Sequence, residues 1–170
     1  MNKKRNKIRK IAFLGLFTAL AMLLSYVEAL IPSLIVAIPG IKMGLPNVVV
    51  IFVLYRFGAK EAVLVSSVRV LVVSMLFGTP MTFIYSIAGA LLSFAVMMIL
   101  KKTNFLSEVG VSVAGGVFHN VGQIIVAMIL LNTANIGYYM IALSISGIIS
   151  GIFIGLCSAL MIKKLPLKMS

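Results

Sequence analysis

From Ile11 almost to the C-terminus, apolar stretches follow one another, and six basic residues, Lys3, Lys4, Arg5, Lys7, Arg9 and Lys10, stand directly before the first. A hydrocarbon core of ~30 Å takes about 20 apolar residues per helix. The chain is 62% hydrophobic, with a mean hydropathy of +1.19. A soluble domain of 170 residues needs far less apolar surface. The pattern predicts an all-α, multi-pass integral protein of the plasma membrane.

A cleaved signal peptide also places basic residues before an apolar segment, but Leu23 to Leu30 offers no small-residue cleavage site and the apolar pattern repeats afterwards. The first helix is therefore expected to stay. The net charge of +12 does not point to nucleic acid, because the basic residues flank apolar segments instead of forming one patch with interleaved aromatics. It points to topology and to contact with anionic lipids. One cysteine, Cys157, inside a late apolar segment, excludes an intramolecular disulfide and a cysteine metal cluster.

Six helices are expected, at about 11–29, 46–57, 59–77, 81–100, 109–131 and 138–162, as one membrane domain over 11–162. Residues 1–10 and 163–170 form basic cytoplasmic tails, and 30–45, broken by Pro32, Pro39, Gly40 and Gly44, reads as a long external loop. Short loops rich in Lys and Arg stay in the cytoplasm. With the N-terminus inside, cytoplasmic flanks hold every basic residue except Lys42, in the external loop, and Arg69, within the third helix. An odd number of helices would break that agreement.

Function is sought where polar groups interrupt the apolar segments, because a charge near the bilayer centre costs several kcal/mol and is seldom kept without a partner. Arg69 stands about ten residues into the third helix, and His119, Asn120 and Gln123 stand at a similar depth or slightly further out on the fifth. Glu28 ends the first helix on the outer side, Asn47 opens the second there, and Tyr85 lies in the outer half of the fourth. Four helices and the loop thus contribute to one depth, the geometry of an outward-facing pocket. Lys42, Arg69 and a protonatable His119 favour an acidic or phosphorylated ligand. The competing reading makes Arg69 a structural pin paired with Glu28, His119 a satisfied core histidine, and Asn120 and Gln123 interhelical hydrogen bonds.

Catalysis has little to stand on. The carboxylates are Glu28, Glu61 and Glu108, with no Asp anywhere, so neither paired acids nor an acidic cluster for magnesium on a diphosphate is available. One His and one Cys on separate helices make no dyad without a third group, and no glycine loop of the P-loop type occurs. No cofactor or metal is expected. Gly147, Gly151, Gly155 and Ala159 recur every four residues on the sixth helix, and Gly15 and Ala19 do so on the first. Such stripes let another helix approach closely, either within the bundle or from a partner protein.

The run Gly40-Ile-Lys-Met-Gly-Leu-Pro-Asn47, the following Phe57-Gly-Ala-Lys-Glu61 and the segment His119-Asn-Val-Gly-Gln123 resemble the membrane proteins called heptaprenyl diphosphate synthase component I, or the Gx transporter family. That family is similar in size and layout to the substrate-binding S components of energy-coupling factor importers, which have six helices, cytoplasmic termini and a long first external loop over the ligand. The resemblance implies a subunit that captures a small, partly apolar metabolite from outside and works with a membrane coupling protein and two ATPases. In those S components an Ala-x-x-x-Ala motif on the first helix meets the coupling protein; here Gly15-x-x-x-Ala19 stands in its place. The family's name implies a different role, a non-catalytic accessory subunit beside a soluble prenyl diphosphate synthase in polyprenyl or quinone synthesis. A purely structural membrane anchor is the third class, and it would tolerate apolar replacement of Arg69 and His119.

Overall fold

The computed structural model of the chain describes residues 2–30 and 44–165, with side chains from residue 4 onward. These residues form six α-helices: α1 (Asn2–Leu30), α2 (Asn47–Arg56), α3 (Ala59–Phe77), α4 (Pro80–Thr103), α5 (Glu108–Leu130) and α6 (Tyr139–Lys164). A single 3-10 turn, Ala134–Tyr138, leads into α6, and no strand occurs among the described residues. Four of these units are long and apolar enough to cross a membrane: Lys4–Leu30, Pro80–Thr103, Glu108–Leu130 and Ala134–Lys164. The other two differ for separate reasons. Every 18 consecutive residues of α3 contain three charges, Lys60, Glu61 and Arg69, and α2 has only 10 residues, about 15 Å of helix. Most of the expected external loop lies outside the described residues.

Helix boundaries follow local chemistry. α1 begins well before the apolar stretch because Lys and Arg are good helix formers and nothing before Ile11 breaks the helix. Its residues Lys4 to Arg9 are exposed. Thr79 caps α4 through a reciprocal pair with Thr82, followed by Pro80 in the first turn. Ser107 caps α5 by accepting from Gly110 N–H.

α5 lies between α4 and α6 and packs on both far more extensively than any other pair of helices packs. Glycine makes this closeness possible. A Cβ on Gly116 would sit 2.6 Å from the Gly147 carbonyl oxygen, one on Gly151 2.6 Å from Val113 Cα, and one on Gly155 2.7 Å from Val109 Cα. On the other side, a Cβ on Gly89 would meet the His119 carbonyl oxygen at 2.7 Å. The small-residue groove of α6 is therefore filled by α5, from within the bundle. On α1, by contrast, a Cβ on Gly15 would have nothing within 4 Å.

α2 is the core. Val48 through Leu54 are all buried, and Phe17, Ala21, Val65, Phe94, Val111 and Ile154 pack around them. A helix apolar on every side must be enclosed on every side. Hydrogen bonds from other helices tie it in: Ser158 Oγ donates to the Val48 carbonyl at 3.0 Å, and Lys101 Nζ donates to the Leu54 carbonyl near its C-terminus. Arg56 in turn donates to the Ile162 carbonyl in the last turn of α6.

These bonds, with the Lys10–Glu61 ion pair, gather the N-termini of α1 and α3 and the C-termini of α2, α4 and α6 at one end. There Glu61 and Glu108 occupy first turns, while Arg56, Lys101, Lys102, Lys163 and Lys164 occupy last turns. Each charge thereby opposes its helix dipole favourably. The basic start of α1 does not follow this rule.

Candidate functional site

Five helices line a small, partly open cavity of about 30 Å³ in which polar side chains meet apolar walls. Asn47 enters from the start of α2, Ser66 and Arg69 from α3, Ser93 from α4, and Ser112 and His119 from α5. Val50, Ile51, Phe94, Met97 and Ile154 supply apolar walls, and Gly115 and Gly116 let α5 approach. No carboxylate lines this cavity. Its volume has a clear meaning, since one water needs about 10–15 Å³ on this measure. The cavity has room for about two or three waters.

Helical spacing brings the polar groups together. Ser66 and Arg69 are three residues apart on α3, and Ser112, Gly115 or Gly116, and His119 follow the three-to-four-residue rhythm of one face of α5. Ser93 Oγ donates to the Gly115 carbonyl at 2.8 Å, so α4 and α5 are bridged at the cavity wall. Arg69 Nε and Ser112 Oγ are buried with no hydrogen-bond partner among the described residues. The Glu28 carboxylate acts electrostatically on the Arg69 guanidinium. It also accepts from Gly44 N–H, which fixes the turn that delivers Asn47 to the cavity.

Of the residues singled out in the sequence, Asn47, Arg69 and His119 line the cavity. Glu28 stands behind it, holding the Gly44 turn. Asn120 is turned toward α6, its amide donating to the Leu143 carbonyl at 2.6 Å. Gln123 packs at the α4 contact, its Cγ 3.0 Å from where a Cβ on Gly89 would lie. Tyr85 is half-buried and absent from the cavity lining, and Lys42 lies outside the described residues. The three serines were not singled out in the sequence. Helical spacing is the signal for two of them, since Ser66 lies three residues before Arg69 and Ser112 three before Gly115, whereas Ser93 shares α4 only with apolar lining residues and carries no such signal.

A second, shallow hollow of about 290 Å³ lies between α1 and α3, lined by Ala19, Met22, Leu23, Tyr26, Val72, Val73, Leu76 and Phe77. It is apolar but for the Tyr26 ring, which rests on Phe77 at 5.5 Å. Among the described residues no group of three or more His, Cys, Asp or Glu side chains is placed to hold a metal ion.

Residues 17–161 match the family described as Heptaprenyl diphosphate synthase component I. No curated protein and no solved structure matches the chain.

Proposed function

The chain belongs to the heptaprenyl diphosphate synthase component I family, and from that membership and the central cavity we propose that it is a membrane-embedded substrate-binding subunit of an energy-coupling factor type importer. It would take a small, anionic, partly apolar metabolite from outside the plasma membrane, with both termini in the cytoplasm. The observation that carries this reading is the cavity lined by Arg69, His119, Asn47 and three serines with no carboxylate among them. An arginine kept within an apolar segment, with its Nε unmatched, is costly unless something answers it. A bound metabolite needs more room than about 30 Å³, so this reading requires the site to open to admit it. α1 and α3 touch the rest of the bundle less extensively than α5 touches α4 and α6, so opening would fall to them. Energy for movement would come from a coupling protein and ATPases, since the described residues contain no nucleotide-binding loop.

The family's description favours a second reading, an accessory membrane subunit that partners a soluble synthase in heptaprenyl diphosphate formation. Native mass spectrometry of the detergent-purified protein from its own host separates the two. The importer reading expects a stoichiometric small molecule that is lost from Arg69→Leu and His119→Leu while the proteins stay folded. A ligand-free protein that co-purifies with a soluble prenyl synthase would favour the second reading.

A further inference from the structure

α1 is fastened unevenly along its length. Its N-terminal half is held twice: Lys10 pairs with Glu61 on α3, and the buried Phe17 ring packs on Phe52 and Phe57 at 4.9 and 5.8 Å between centroids. Toward the C-terminal end the support thins. Ala19, Met22, Leu23 and Tyr26 border the apolar hollow that separates α1 from α3. Ser25 is the last buried residue of the helix, and beyond it Tyr26, Val27, Ala29 and Leu30 are exposed. In that last stretch Glu28 alone is half-buried. Its carboxylate accepts from Gly44 N–H and acts on the Arg69 guanidinium, so one side chain joins α1 to the turn before α2 and to α3. Both connections lead to the cavity. Arg69 lines it, and the Gly44 carbonyl accepts at 2.8 Å from the N–H of Asn47, which lines it too. From this distribution we propose that Glu28 is a latch: while its carboxylate holds Gly44 and Arg69, the C-terminal end of α1 stays closed against α2 and α3, and when it lets go residues 26–30 swing away from α3. The packed Phe17 is the pivot, and the hollow marks where α1 can part from α3 without breaking close packing. The inference rests on the reading above in which α1 and α3 open the site, and it adds the residue that controls the opening.

The test uses the full-length protein in detergent, with Ser25→Cys as the reporter and the native Cys157, half-buried on α6, as an internal reference. Both thiols are exposed to methyl methanethiosulfonate, a small neutral reagent, and peptide mass spectrometry follows each one separately. With Glu28 in place the introduced thiol should react slowly, since Ser25 is only 7% exposed. Glu28→Gln keeps the shape and loses the charge. It should raise that rate at least about fivefold, the difference between a charge-assisted and an ordinary hydrogen bond, and leave the rate at Cys157 unchanged. Arg69→Gln should raise it as well, and combining the two should add little to the larger single effect, because both changes open one latch. Fast labelling of the introduced thiol with Glu28 in place, or no change in Glu28→Gln, overturns the proposal. An equal rise at both thiols also overturns it, because it reports loosening of the whole bundle, and so does a double variant in which the two effects multiply. The labelling involves no ligand, so a failed latch leaves the importer reading to be decided separately, by whether native mass spectrometry finds a bound metabolite.

Discussion

Gly44 carries two constraints at once. Its φ of +72° is a left-handed conformation that side chains disfavour, and a Cβ there would meet the Asn47 amide nitrogen and Ile154 Cδ1, each at 3.1 Å. Its N–H also donates to Glu28, so the residue couples the end of α1 to the start of α2. Gly44→Ala is expected to cost about 1–2 kcal/mol from the backbone alone, measured as a lower unfolding temperature in detergent. An unchanged stability would mean that the turn has no such constraint. Residues of this kind differ in how readable they are. Arg69 and His119 stand out because titratable groups in apolar segments are rare. Ser112 does not, because a serine within a helix commonly bonds a carbonyl of its own preceding turn, as Ser25 does to Ala21 and Ser158 to Ile154. What separates the unmatched Ser112 hydroxyl from these is the rotamer its surroundings impose, which the sequence does not carry.

Among whole helices, the glycine contacts separate internal from external faces. Gly151→Ala would drive a methyl to 2.6 Å from Val113 Cα, and α5 and α6 would have to part, an overpacking cost of roughly 1–3 kcal/mol. Gly15→Ala meets open space and should be neutral or stabilising by up to about 1 kcal/mol through helix propensity. Unfolding of the two variants in parallel checks the contrast, and an equal loss in both would contradict the packing described. Apolar runs, Pro80 and the Gly78-Thr79 break made α3 and α4 legible in sequence. Two features were not. The start of α1 at Asn2 depends on helix propensity continuing beyond the apolar stretch, which a hydropathy boundary does not register. The four-residue spacing on α6 is the same whether its groove faces α5 or a foreign helix, so spacing alone left both occupants open.

For the molecule as a whole, an even number of helices and the clustering of basic residues pointed to a bundle with its charged flanks on one side. The described contacts gather helix ends in that arrangement through Lys10–Glu61, Arg56–Ile162 and Lys101–Leu54. What charge could not reveal is how unequal the helices are, because burial of α2 on every side is a property of its neighbours. At ten residues, α2 spans only about half of a hydrocarbon core, and one of its carbonyls is matched by Ser158, more than a hundred residues later. This sets an order of assembly. As the chain leaves the ribosome, α2 is too short to hold a place in the lipid alone, and its enclosure waits for the last helix to emerge. A chain ended after residue 138 should therefore be cleared by the host's quality-control proteases, and its α2 should stay open to thiol labelling at an introduced Val50→Cys that the full chain protects. The smallest helix would then act as a checkpoint, reporting to the cell whether translation of the whole chain was finished.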